Sequence, residues 1–566
     1  MHRPHHVQMR GVGRFILRKP HVTVRAKQFC RNRATCERAK SRRHFFKQRF
    51  GGVAQFGVVV GFMGVKPIAR VVQGKVAQKR FGVRDECAEH DDPYTDGLWL
   101  DPRKVWAYAN QMSTQMSYST HTKRLLKLGL PLVGANVAGF SIHMTDTIML
   151  GWYSVTSLAA ATVATGVWFI TFIIGAGFGR AVTPMVAEAV EMGDETRARR
   201  VTRMALWLSA IYAVLLIVPF MYGEAVLLAM GQEASVATQG GFYLRIAVLG
   251  MFPAMGAQVM RSYLGAMELT AIQLWITLVA LAANGLVNYA LIFGNLGAPE
   301  LGIEGAAIAS VVIQILQMIA LMLYVQWKKP EAELFLRIWK SDNEAMGQVF
   351  RLGLPIGLTS FAEGGLFVGS SVMMGWIGEI ELAAHGIAMQ LTAFMFMFHV
   401  GMSEAATIRA SRQFGARDEV ELRRGAFAAY GVSLSFGVIV VILYLAMPGV
   451  FVGLFLDPGD PARDAVLALG VVLVMLSALF QFVDAAQIVA LSVLRGVQDT
   501  RVPMWLAIVS YWVIGIPASY VMAFTFDWGP VGLWLGLTVG LGVAAALLSQ
   551  RFWARSVHIA RVGVAS

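Results

Sequence analysis

The feature that most constrains this chain is a stretch that occurs twice. Leu128-Gly-Leu-Pro131 opens an apolar run that closes at Leu150-Gly-Trp152, and 224 residues later the frame returns from Leu352-Gly-Leu-Pro355 to Met374-Gly-Trp376. Of the 25 positions from Leu128 to Trp152, 8 are identical at that offset. The register continues: Leu158-Ala-Ala160 falls on Leu382-Ala-Ala384, Asp194-Glu195 on Asp418-Glu419, and Arg199-Arg200 on Arg423-Arg424. A fixed internal period of this kind identifies a duplication and requires two halves of one fold.

The medium in which that fold sits follows from composition. An apolar content of 56% with 15% charged residues over 566 positions lies outside the range of water-soluble domains. The net charge of +14 is misleading, because residues 1–111 carry 23 Lys and Arg against 8 Asp and Glu, and the remainder carries 26 against 27. A nucleic-acid reading would rest on this leader alone, so no nucleic-acid partner is expected. All three cysteines, Cys30, Cys36 and Cys87, also fall there, leaving no disulfide framework or thiolate metal site in the rest of the chain. The leader shows no steady period and no signal-peptide order. Of a regulatory tail, a targeting segment and sequence upstream of the working start, the last is preferred, with the protein beginning at Met112 or Met116.

From Leu125 onward, apolar runs of about 20 residues recur, each long enough to cross roughly 30 Å of hydrocarbon as a helix. Twelve are expected, the first near 125–150 and the seventh near 349–375, giving an all-α membrane protein. The lobes are placed at 120–326 and 349–556, joined by a linker over 327–348. Loops alternate in charge: one side carries Arg197, Arg199, Arg200, Lys328, Lys329, Arg423 and Arg424, and the other carries Glu224, Glu233, Glu379, Glu381, Asp457 and Asp527. Basic residues stay on the non-translocated side, so both termini are expected in the cytoplasm. Six spans per repeat relate the lobes by a pseudo-twofold along the membrane normal. Pro131 and Pro355 are placed in the first turns of their spans; Pro184, Pro253 and Pro517 lie deeper and are expected to bend theirs. Gly175-Ala-Gly177-Phe-Gly179 offers a face for close helix approach.

Charges inside spans are costly, about 2.5–3.5 kcal/mol at a helix centre, so each retained one needs a reason. Asp146, Glu363 and Asp484 have no Lys or Arg three or four residues away on their own helices. Burial without a partner disfavours the charged form, leaving two readings for each: a protonated acid hydrogen-bonded into the packing, or a site that recruits a cation. Arg180 and Glu404 are equivalent at the 224-residue offset and opposite in sign. Residues equivalent under a twofold meet where they face its axis, which suggests a salt bridge between the lobes; solvation in a cavity or local pairing are the alternatives. His143, His385 and His399 read as packing residues. Trp168-Phe169 and Phe394-Met-Phe-Met-Phe398 would suit a cleft for flat cations or a lipid-facing surface. No metalloprotease, nucleophile-elbow or phosphate-loop motif occurs in the spans, so the chain does not read as an enzyme.

Met144-Thr-Asp146-Thr-Ile-Met-Leu-Gly151, Phe361-Ala-Glu363, Ala383-Ala-His385 and Asp484-Ala-Ala-Gln487 through Leu494-Arg-Gly496 resemble the multidrug and toxic compound extrusion (MATE) family in its NorM-like branch, over residues 120–555. The resemblance implies two six-helix lobes around a cleft, in the inner (plasma) membrane, as a monomer. It implies export of small organic, often cationic compounds in exchange for Na⁺ or H⁺, without a cofactor. Glu363 and Asp484 would form the cation site of the second lobe, with Na⁺ as a possible ligand, and Asp146 the acidic site of the first. A lipid-linked precursor flippase of the same superfamily is the alternative. Two departures stand out: Gly265 replaces an acid that branch members often carry, and the Arg180–Glu404 charges are not part of the general pattern.

Overall fold

The computed structural model describes residues 116–559, apart from 458 and 460, and the pairs His6–Val7 and Phe15–Ile16, which form a two-residue antiparallel ladder. The leader's cysteines and a start at Met112 lie outside the described residues.

Twelve helices are long and apolar enough to span a bilayer: α1 Tyr118–Tyr153, α2 Val155–Glu191, α3 Glu195–Met221, α4 Ala234–Ala266, α5 Ala271–Phe293, α6 Gly302–Lys328, α7 Asn343–Ile377, α8 Glu379–Gly415, α9 Glu419–Ala446, α10 Arg463–Gly496, α11 Arg501–Thr525 and α12 Gly529–Ser556. Their outward faces expose large apolar side chains such as Leu215, Trp275, Leu323 and Ile442. Such a surface suits hydrocarbon and would not be tolerated in water. Odd-numbered helices start, and even-numbered ones end, at the side that carries the first and last residues of the bundle, here called the terminal end.

The duplicated sequence produces duplicated local structure. Asp194 and Asp418 are both N-caps, their carboxylates accepting from the amides of Arg197 and Glu421 at 2.9 and 3.0 Å. The helices before them close identically, with Asp194 N donating to Ala189 O and Asp418 N to Gln413 O. In each closure the residue between is left-handed, Gly193 at φ 73° and Arg417 at φ 56°.

The prolines partly depart from expectation. α1 and α7 begin at caps Ser117 and Asp342, well before the apolar run, so Pro131 and Pro355 lie inside their helices and not in first turns. The early turns carry Lys123, Arg124, Lys127 and Arg351, which hide helix from a hydropathy reading. α2 continues through Pro184. α4 tightens to a 3₁₀ turn at Val248–Gly250 just before Pro253. α11 widens into π turns at Val509–Gly515, where Pro517 has removed a donor and its ring presses on the preceding turn.

The lobes meet through paired crossings. A Cβ on Gly177 of α2 would strike the backbone of Gly353 and Gly357 in α7, and one on Gly401 of α8 would strike that of Val133 in α1. Gly177 and Gly401 are twofold-equivalent, as are Gly353 and Gly129. The crossings are sealed by equivalent apolar stripes. Leu125, Leu128 and Leu132 of α1 pack with Met402, Ala405 and Ile408, while Val349, Leu352 and Ile356 of α7 join the core formed by α1 to α6. Polar contacts add to the seal at the terminal end. Arg412 reaches Glu268 at 3.3 Å and the Ala266 carbonyl at 3.0 Å, and Gln498 reaches Glu188 at 2.7 Å.

Candidate functional site

Asp146 is held by three donors from neighbouring helices. Asn284 and Asn288, one turn apart on α5, donate to Oδ1 at 3.0 and 2.6 Å, and Ser310 of α6 donates to Oδ2 at 3.3 Å. Tyr243 of α4 bonds the same Ser310. Both asparagines are fully buried. They were not singled out from the sequence, although Gln273, Thr277, Asn284 and Asn288 form a buried polar stripe at helical spacing in an otherwise apolar span.

The second lobe brings Glu363 and Asp484 into mutual electrostatic reach. Glu363, on α7, lies close to Gln487 of α10, which donates to the hydroxyl of Tyr511 on α11. Asp484 lies three residues before Gln487 and is 2% exposed. Its Oδ1 has no protein partner, and neither does Gln487 Oε1. Like charges brought together in a poorly hydrated space repel, so this pair either takes up a proton and loses a charge or keeps both charges with a cation to balance them.

Arg180 and Glu404 do not form a direct ion pair among the described residues. Instead each crosses to the first helix of the opposite lobe. Arg180 Nη1 donates to Ser360 Oγ of α7 at 2.9 Å, and Glu404 lies close to Asn136 of α1, whose Nδ2 donates to the Leu132 carbonyl at 3.0 Å. Ser360 and Asn136 are equivalent at the 224-residue offset, so the twofold duplicates a cross-lobe neighbour and not an ion pair between the two charges. Arg180 remains in the field of both Glu404 and Glu363. Two more cations join this group: Arg261 of α4, bonded to Gln317 at 2.5 Å and in the field of Glu404, and Arg495 of α10, in reach of Glu363 and Glu404. Sequence reasoning assigned a role to neither, though Arg495 stands in the Leu494-Arg-Gly496 motif.

His385, His399, Trp168 and Phe398 pack, whereas His143, expected as a packing residue, is exposed, and so are Phe169 and Phe394. His399 meets Ser433 at 2.7 Å, Phe398 stacks on Phe436 at 3.8 Å, and Trp168 donates to the Ala247 carbonyl at 3.1 Å. Among the described residues no three His, Cys, Asp or Glu side chains gather into a metal cluster.

Two duplicated helical lobes, closed against each other at one end and carrying acids inside both, define a membrane carrier. The family model MatE matches residues 131–290 and again 355–521, its two starts separated by the offset found within the sequence, and the chain belongs to the MatE family. It is 41% identical over 438 residues to "Probable multidrug resistance protein NorM" of Agrobacterium fabrum, covering 77% of this chain and 94% of the relative. The protein of that name in Rhizobium meliloti is 40% identical over 440 residues, with the same coverage. The crystal structure of the eukaryotic MATE transporter AtDTX14 superposes with a TM-score of 0.70 at 21% identity, covering 79% of this chain and 99% of that one.

Proposed function

We propose that this transporter is a secondary active multidrug antiporter that exports organic cations in exchange for Na⁺ or H⁺ by alternating access. The observation that carries the reading is the Glu363–Asp484 pair, two acids in one lobe with no cation side chain at ion-pair distance among the described residues and with orphaned oxygens on Asp484 and Gln487. That donor set is all oxygen, which suits a proton or a hard monovalent cation and not a thiophilic metal. The terminal end is read as cytoplasmic, because Arg197, Arg199, Arg200, Lys328, Lys329, Arg423 and Arg424 cluster there. The sealed crossings then make the present conformation outward-facing, in an inner membrane.

In this conformation a coupling cation enters from outside and neutralises Glu363 and Asp484. The site loses its attraction for a cationic drug, which leaves to the outside. Rocking about the Gly177 and Gly401 crossings opens the cytoplasmic end, where the cation departs and the recharged acids take the next drug. Antagonism between cation and drug is the coupling itself: each must weaken the other's binding by the same factor. Asp146, with its three donors, serves as an acidic contact of the first lobe. Asp484→Asn preserves shape and removes the charge. In inverted vesicles with Na⁺ and pH gradients imposed separately, it is expected to fold and to lose gradient-driven ethidium transport under both. Retained transport would refute the assignment.

Arg180, Arg261 and Arg495 favour a second reading, export of compounds that carry an acid group, including lipid-linked precursors. Competition of ethidium transport by an acid-bearing amphiphile, lost in Arg261→Gln, would support it.

A further inference from the structure

The second lobe contains more unmatched polar atoms than its acid pair explains. Among the described residues twelve buried atoms of this lobe find no hydrogen-bonding protein partner; five belong to His399, Arg412, Gln413, Glu421 and Arg463, and the other seven are His385 Nδ1, Gln481 Oε1, Asp484 Oδ1, Gln487 Oε1, Ser510 Oγ, Ser519 Oγ and Trp534 Nε1. These seven come from α8, α10, α11 and α12, yet they are not scattered. The His385 ring meets Trp534 edge-on at 5.6 Å, and Trp534 meets Phe480 at 5.7 Å, so His385 borders the turn of α10 that carries Gln481. Asp484 is three residues further along α10 and Gln487 three beyond that. Gln487 binds Tyr511, the neighbour of Ser510.

Their order along the membrane follows from helix direction. His385 is seven residues into α8, Trp534 six into α12 and Ser519 seven from the end of α11, and all three places lie toward the end opposite the termini. Gln481 is level with Trp534 through Phe480, Asp484 and Gln487 follow it inward along α10 at about 1.5 Å per residue, and Ser510 adjoins Tyr511, the partner of Gln487. The unmatched atoms thus extend from the level of His385 and Trp534, toward the end opposite the termini, inward past Asp484.

Packing does not demand five of these groups, because the first lobe builds the same helices with apolar residues in their places. His385 is equivalent to Ala161 at the 224-residue offset. Beyond α9 the offset becomes 230, fixed by the matching left-handed residues Glu268 and Gln498, both at φ 60°. There Gln481, Asp484, Gln487 and Ser510 face Met251, Ala254, Ala257 and Ala280, all apolar. Buried polar atoms in native proteins are satisfied by protein or by ordered water, and orphans without either are costly.

We propose that the interior of the second lobe is a hydrated route by which the coupling cation reaches Asp484 from the end opposite the termini, with His385, Ser519 and Trp534 at its mouth. His385 positions the route through Ser371, whose hydroxyl is 3.2 Å from Nε2. This rests on the reading of Asp484 as the coupling site.

The test uses full-length protein in liposomes, with Cys30, Cys36 and Cys87 changed to serine so that each introduced thiol is the only one. Ser510→Cys and Ser519→Cys are close to isosteric, and Ala280→Cys and Ala254→Cys report the first lobe. The probe is the small cationic reagent 2-aminoethyl methanethiosulfonate, with labelling followed by mass. Thiols at 510 and 519 are expected to label at least about tenfold faster than those at 280 and 254, and Na⁺ or low pH is expected to slow labelling at 510. Equal rates in the two lobes, or no labelling at 510 and 519 in protein that still binds ethidium, would overturn the route. Failure of the coupling-site reading is distinguishable, since it appears as normal gradient-driven transport in Asp484→Asn whatever the labelling shows. A second readout is His385→Leu, expected to slow cation-driven exchange several-fold with ethidium affinity unchanged; a change in affinity alone would assign His385 to packing.

Discussion

Adding one methyl group at the lobe crossing should shift which end of the transporter is open. A Cβ on Gly177 would lie 2.5 Å from Gly357 N and 2.8 Å from its Cα, against 3.4–4 Å for ordinary contact. The obstructing atoms are backbone, so no rotamer can give way, and α2 and α7 must part by about 1 Å. Overpacking of this kind costs about 1–3 kcal/mol. The strain exists only while the terminal end is closed, so it favours the opposite conformation by about 5- to 150-fold. The assay is labelling of Ala405→Cys, a residue with no exposed surface in the seal, by a membrane-impermeant maleimide applied from the terminal side in the cysteine-free background. Gly177→Ala should speed labelling by that factor. Gly401→Ala should act alike, because its Cβ would lie 2.7 Å from Val133 Cα. Gly139→Ala, where nothing lies within 4 Å, should have no effect. A thiol at Ala307, deep in the first lobe, must remain unlabelled throughout, which separates opening from unfolding. Equal rates in Gly177→Ala and Gly139→Ala would refute the reasoning.

Asn288→Leu removes the 2.6 Å donor to Asp146 and should lower stability by about 1–3 kcal/mol, read as a lower thermal midpoint in detergent. Arg417→Gly places glycine where the duplicate has Gly193 and relieves a left-handed arginine; it should raise stability by about 0.5–1 kcal/mol, and Gly193→Arg should lower it in the same melt. At the terminal surface the hydrogen bond from Arg200 holds the Asp342 carboxyl below its ordinary range. A carboxyl depressed in the folded state stabilises above its unfolded value, and that stability is lost as pH falls through the folded one. The advantage of the native chain over Arg200→Gln, under about 1 kcal/mol for so exposed a pair, should therefore be present at pH 7 and disappear below about pH 4 in thermal melts.

Much of this molecule is local and therefore legible in the chain. Twelve apolar runs become twelve helices because a span is defined by length and hydropathy. The matched Asp194 and Asp418 become matched caps because capping involves only a few neighbouring residues. The glycines of Gly175-Ala-Gly177-Phe-Gly179 were recognisable as a contact face, but their partners across the lobes were not. What escaped was the pairing of distant groups. Arg180 and Glu404 are equivalent, and equivalence suggested that they meet; helix rotation instead turns each toward the first helix of the other lobe. Asn284 and Asn288 find Asp146 across 138 and 142 residues, a relation that no spacing encodes.

By itself the sequence determined an all-α duplicated membrane fold, its acids and the charge asymmetry of its loops, because periodicity, hydropathy and charge act over one or two turns. Only the tertiary structure decided which end is sealed, which donors hold Asp146 and which residues surround the Glu363–Asp484 pair. Those outcomes depend on how helices rotate and cross, and crossings are set by packing between residues hundreds of positions apart.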